Sequence, residues 1–232
     1  MKRTVYIYAK PPIIGVSKTR LADGVGAAKA QRIARWSFEK TLRAASDTRW
    51  NTVLAASPDT YLNSTLGGLW PSSLKRMSQG SGDLTARLNK GLAAAPNGAV
   101  VFIGADCPDI SNALIADAFN QLKTQDAVFG PARDGGFWLF GMNKRTRTAS
   151  PFENVRWSTK HALGDVRDNL FGETKIGYLP ELSDIDTGAD WQERAAGKQA
   201  KPSPKSSKKL ASEKTKPPKQ KRRWFGFGKV KA

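Results

Sequence analysis

Short β-branched and aromatic runs alternate along this chain with longer stretches in which apolar residues recur every three or four positions. The runs at residues 4–9, 52–56, 74–77, 100–105, 127–130, 137–140 and 174–179 predict strands. Between them, residues 27–45 place Ile33, Trp36, Phe38 and Leu42 near helical spacing, and residues 83–95 place Leu84, Leu88 and Leu92 four apart. Further helices are predicted at 112–123 behind Ser111, at 158–171 behind Ser158 or Thr159, and at 189–196. Asp83 is a candidate cap for the second helix. Residues 10–23 and 60–71 lack a period and read as irregular. Strands that alternate with helices imply an α/β fold: a three-layer α/β/α sandwich around a mixed, mostly parallel sheet. The two strands joined through Arg133-Asp134-Gly135-Gly136 break the parallel rhythm and supply the mixed part.

Composition changes this picture in one place. The chain of 232 residues is 39% hydrophobic, enough for one sizeable core. Its formal net charge of +18 is unevenly spread. Residues 198–232 hold thirteen Lys and Arg against one acid, Glu213, a net +12 that leaves only +6 for residues 1–197. The expected organisation is therefore one domain over residues 1–197 and a basic tail over 198–232. That tail is nearly free of apolar residues before Trp224-Phe225-Gly226-Phe227-Gly228, which predicts disorder. Its basic and aromatic end suits an anionic membrane surface or RNA, and a plain solvated tail is the competing reading. One cysteine, Cys107, excludes an internal disulfide and fits a reducing compartment. No run approaches the roughly 20 apolar residues of a membrane span. The expected location is cytoplasmic, or peripheral at the inner face of the membrane.

The chemistry is concentrated at strand ends. Asp106 closes the run 100–105 and is followed by Cys107-Pro108-Asp109, which puts a carboxylate at the carboxyl edge of the sheet, where α/β proteins bind ligands. A second acidic loop, Asp184-Ile185-Asp186, precedes the last helix. Two such loops can share a hard divalent cation with a ligand phosphate; taken alone, Asp186 reads equally as a helix cap. The first loop, from Lys10 through Gly15, Lys18, Thr19 and Arg20, lies between a strand and a helix and carries the cations suited to phosphate. It is either a phosphate cradle or a solvated basic loop. It lacks the glycine spacing of a Walker loop. Gln79, Gly80, Gly82 and Asp83 form another glycine-containing loop, and Asp134, Gly135 and Gly136 a tight turn. The single histidine, His161, argues against a zinc site.

Taken together these segments resemble the bacterial DUF2064-type family of GT-A transferases, which is similar to the molybdenum cofactor and phospholactate guanylyltransferases. The resemblance rests on Lys10, Pro12, Gly15 and Lys18 to Leu21; on Gln79 to Leu84; on Gly104, Asp106 and Pro108; on Gly130, Pro131 and Asp134 to Gly136; on Trp157 to Thr159; and on Asp184 to Thr187. It covers about residues 3–196. Thr85-Ala86 departs from the Gly-Glu common in the family. The resemblance implies a nucleotide-diphospho-sugar transferase fold. It also implies a metal-dependent nucleotidyl or glycosyl transfer from a nucleotide or nucleotide-sugar donor to a small-molecule acceptor. It assigns Gly15, Lys18, Thr19, Arg20, Gln79, Gly80, Gly82 and Asp83 to the nucleotide. Asp106 and Asp186 go to Mg²⁺ or Mn²⁺, and Asp134, Gly135, Gly136 and Trp157 to the acceptor, with Lys18, Arg20 and Asp106 as the catalytic set. The alternative is a nucleotide-binding protein without turnover whose basic tail contacts a membrane or RNA.

Overall fold

Lys2–Ala9 (β1) sends Val5 and Ile7 to one face of the sheet and Tyr6 and Tyr8 to the other, the two-residue period of a strand covered on both sides. The computed structural model describes residues 1–170 and 174–197. The same split recurs in Asn51–Ala56 (β2), Gly98–Gly104 (β4) and Phe137–Lys144 (β6). Leu54, Val101, Ile103 and Leu139 join Phe38 of Ala27–Ala45 (α2) and Ile115 and Phe119 of Asn112–Gln121 (α4) in one core. Val53, Val100, Phe102 and Phe140 join Leu88 and Leu92 of Leu84–Ala94 (α3) and Leu163 and Val166 of Ala162–Asp168 (α5) in the other. The result is the expected three-layer α/β/α sandwich.

The seven strands lie in the order β3-β2-β1-β4-β6-β5-β7, with β3 at Lys75–Ser78, β5 at Ala127–Pro131 and β7 at Ile176–Tyr178. Only β6 runs antiparallel to its neighbours; all other pairings are parallel. The carboxyl ends of β1, β2, β3, β4, β5 and β7 therefore share one edge with the amino end of β6. The motifs that follow β1, β3, β4, β5 and β7 leave from that edge; Trp157-Ser158-Thr159, which follows β6, does not.

Three elements differ from expectation by more than two residues. Residues 10–23 are not wholly irregular: Thr19–Val25 (α1) is helical. With one buried side chain, Leu21, it is too short to give a periodic signal. The helix predicted at 158–171 begins at Ala162 and ends at Asp168: Ser158 takes a left-handed backbone (φ 58°), outside the right-handed helical region, so the helix does not run from there; Phe171 lies outside the described residues. Strand β6 continues four residues past Phe140, since pairing with β4 carries it through polar Asn143 and Lys144. The last helix (α6) is Gly188–Ala195. The tail at 198–232 also lies outside the described residues. Among those described, no helix is long and apolar enough to cross a membrane.

Candidate functional site

The first loop turns sharply after β1. Ile13 N–H donates to Pro11 O, Val16 N–H to Ile13 O, and Gly15 takes the left-handed backbone (φ 78°) that favours glycine. Lys18 is also left-handed (φ 55°, ψ 40°), immediately ahead of α1. Its ammonium donates to Asp186 Oδ1 at 2.5 Å and to Asp106 Oδ2 at 3.3 Å. Arg20, two residues along, donates from Nη2 to Asp186 Oδ2 at 2.9 Å. Lys18 is only 15% exposed, whereas Arg20 is 73% exposed. Burial presses the Lys18 ammonium down, and Asp106 and Asp186 together outweigh it, so its pKa lies above that of an ordinary lysine.

The carboxylates arrive from the central strand and from an edge strand of the sheet. Asp106 follows β4; Asp184 and Asp186 follow β7. Ile185 N–H donates to Asp106 O at 3.1 Å and ties the two loops together. Asp106, Asp184 and Asp186 each place an oxygen within 4.8 Å of the others. The capping reading of Asp186 fails here. Thr187 is the N-cap of α6, and Asp190 closes its capping box while accepting from the Asp186 and Thr187 amides. The Asp186 carboxylate is thereby left to Lys18 and Arg20. Asp184 is the member that sequence reasoning kept out of the metal set. Burial and then the Asp106, Asp186 and Asp134 carboxylates push its pKa up to about 7. A clue lay in the Asp-x-Asp spacing, which alternates along extended chain and sends both carboxylates to one side. Two further residues clamp the same loops: Arg194 of α6 grips both oxygens of Asp109 at 2.6 and 2.7 Å. Cys107, between these carboxylates, is buried, and burial pushes its thiol up, away from reactivity.

The second loop is built around Gln79. Its buried amide donates to Ala9 O at 3.2 Å and Ala55 O at 2.8 Å, fastening β1 to β2. Its oxygen accepts from Arg87, which also donates to Gly82 O and Ser57 Oγ. Gly80 and Gly82 take left-handed backbones (φ 80° and 95°), and Asp83 caps α3 by accepting from Ala86 N–H. Tyr8 reaches the same helix and donates to Arg87 O. A cleft of about 510 Å³ runs between the two loops, bounded by Tyr8, Lys10, Lys18, Thr19, Arg20, Gln79, Arg87, Asp106, Ser158 and Asp186. Tyr8, Arg87 and Ser158 were not singled out as site residues in the sequence.

The residues expected to face an acceptor are tied into the fold. A Cβ on Gly135 would lie 2.4 Å from the Lys160 backbone, and Gly135 O accepts from Leu163 N–H. The glycine turn thus packs on the segment leading into α5. Asp134 accepts from Gly136 N–H. Trp157 donates from Nε1 to Thr85 Oγ1 at 2.7 Å and packs edge-on against Phe137.

A seven-stranded sheet of this order, with acidic and basic loops gathered on one edge, is the nucleotide-diphospho-sugar transferase fold. The chain belongs to the family described as "Uncharacterized protein conserved in bacteria (DUF2064)", whose sequence profile matches residues 41–159. A candidate nucleotide-diphospho-sugar transferase from Desulfovibrio desulfuricans G20 is similar at 26% identity and a TM-score of 0.74, over 84% of this chain and 87% of its own. The 4-diphosphocytidyl-2C-methyl-D-erythritol synthase of Anaerococcus prevotii DSM 20548 shares the fold at 13% identity and a TM-score of 0.54, over 85% and 99%. So does a CMP:2-keto-3-deoxy-manno-octonic acid synthetase complexed with CTP, at 10% identity and a TM-score of 0.52, over 85% and 98%. No curated protein matches the chain.

Proposed function

We propose that this chain is a transferase that draws on a nucleotide-activated donor with the help of a divalent cation, Mg²⁺ or Mn²⁺. One observation carries the reading: three carboxylates from two separate loops cluster together, and two of them, Asp106 and Asp186, pair with Lys18 and Arg20 at the start of α1 beside an open cleft. Three oxygen donors within 4.8 Å of one another, with no nitrogen or sulfur ligand among them, fit a hard cation. Asp106, Asp184 and Asp186 would hold it, and when bound it neutralises charge that develops on transferring phosphate. Lys18 and Arg20 bind phosphate oxygens. The loop at Gly15 and the cleft wall at Gln79 and Arg87 orient the nucleotide. The side bearing Asp134, Gly136 and Trp157 receives the acceptor. The similarity to a CTP-bound synthetase and to the Desulfovibrio protein supports a nucleotide in this cleft.

Nucleotidyl transfer releases pyrophosphate, and glycosyl transfer releases a nucleoside diphosphate, so the product separates the two chemistries. The test of the shared reading is a thermal-shift screen of nucleoside triphosphates and nucleotide sugars with and without Mn²⁺. A ligand that binds the native state raises apparent stability. Asp106→Ala, Asp184→Ala and Asp186→Ala should each remove the Mn²⁺-dependent part of the shift. An unchanged shift in all three variants overturns the assignment.

A further inference from the structure

Lys18 occupies the ground between the carboxylates. Both oxygens of Asp186 are engaged, Oδ1 by Lys18 and Oδ2 by Arg20, and Asp106 Oδ2 is engaged by the same ammonium. We infer that Lys18 is the resident cation of this cluster, and that it yields its place when a nucleotide's phosphates take its ammonium, so that the divalent cation enters with the nucleotide and not ahead of it. The inference rests on the nucleotide and metal reading above and adds an order of binding to it.

Three observations support it. The ammonium is held by its backbone as well as by its partners: Lys18 sits directly at the start of α1, whose Leu21 is fully buried and whose Gly24 backbone abuts Gly188. Its side chain is mostly buried while its carboxylate partners are half-exposed, so its ion pairs are partly shielded from water and salt. A bare divalent cation must either displace the ammonium or sit beside a like charge inside a cluster 4.8 Å across, and either route weakens its binding. A polyphosphate changes that balance. It offers Lys18 and Arg20 new anionic partners and releases the Asp106 and Asp186 oxygens. The nucleotide and the cation therefore each strengthen the binding of the other by the same factor.

The experiment compares the binding of Mn²⁺ alone, counted from the free-ion electron paramagnetic resonance signal, in the full chain and in Lys18→Met, with Arg20→Met as the exposed-charge control. Lys18→Met should bind bare Mn²⁺ about tenfold or more tighter than the unaltered chain, with a smaller gain for Arg20→Met. In the unaltered chain a nucleoside triphosphate should tighten Mn²⁺ binding to the protein; in Lys18→Met it should do so far less. A second readout needs no variant. Acylation of Lys18 by an N-hydroxysuccinimide ester, followed by peptide mass spectrometry, should be slow without metal, faster at saturating Mn²⁺ alone, and slow again with nucleotide. If Mn²⁺ binds with nucleotide but Lys18→Met holds bare Mn²⁺ no tighter, or Lys18 acylation ignores Mn²⁺, the exchange is wrong and the metal site stands. If the unaltered chain binds Mn²⁺ neither alone nor with any nucleotide, both readings fall.

Discussion

Gly24 of α1 and Gly188 of α6 meet backbone to backbone: a Cβ on Gly24 would lie 2.8 Å from Gly188 Cα. The contact lets the helix behind Lys18 pack directly on the helix behind Asp186. Both helices start at the cluster, so their spacing sets the distance between its ammonium and its carboxylates. Either glycine changed to alanine should push the helices apart and lower stability by about 1–3 kcal/mol, the usual cost of overpacking. Gly164→Ala is the internal control. A Cβ there meets nothing within 4 Å, and removing glycine from α5 should leave stability equal or raise it by up to about 1 kcal/mol. Urea midpoints of the three variants check this; equal losses at Gly24 and Gly164 would refute it.

Thr85 links three segments. Its hydroxyl donates to Phe152 O at 3.0 Å and accepts from Trp157 Nε1 at 2.7 Å. Thr85→Val keeps the shape and strands the indole N–H, at a cost of about 1–3 kcal/mol. Thr85→Ser restores the bonds and should recover most of the loss. Tryptophan emission and the thermal midpoint, measured together, follow both effects.

Gln79 tests how far the second loop is structural. Gln79→Met removes the donor to Ala9 O and Ala55 O and the acceptor for Arg87 while keeping the volume. Stability should fall by about 1–3 kcal/mol. Nucleotide affinity should fall in parallel with Arg87→Met, because both act on one loop. An Arg87→Met variant that binds every nucleotide as tightly as the unaltered chain would show that the loop does not face the ligand.

Most of the layout was legible because it is written in periodicity. Ile33 and Phe38 mark α2, and its bounds coincide with the predicted ones, since a 19-residue amphipathic helix carries its own signal. The edge that gathers the motifs was legible from strand ends alone. What escaped depends on tertiary context. Ser158 gives no hint in sequence that its backbone is left-handed, and α1 buries too little to show a period. Asp184 was visible as a residue but not as a partner. Its place in the cluster depends on the Ile185 to Asp106 backbone bond between loops 79 residues apart. Conversely, Asp83 had a bland reading in sequence, a helix cap, and the fold does use it in that way.

Asp184 also gives the protein a pH dependence whose direction is fixed. Its pKa stands near 7 in the folded chain against 3.8 for the free side chain. Between those values the folded chain keeps a proton that the unfolded chain has lost, so stability falls as pH rises through this window and levels off above 7. Asp184→Asn removes the titrating group. In buffer containing a chelator, the variant's thermal midpoint should match that of the unaltered chain near pH 4, exceed it by a margin that widens up to pH 7, and hold that margin at pH 8. The same substitution should weaken Mn²⁺ binding in the presence of nucleotide, because the proton-free carboxylate is the form that holds a cation. A variant that is less stable than the unaltered chain at pH 8 would mean that Asp184 is charged and satisfied in the folded state, contrary to its burial among three other carboxylates.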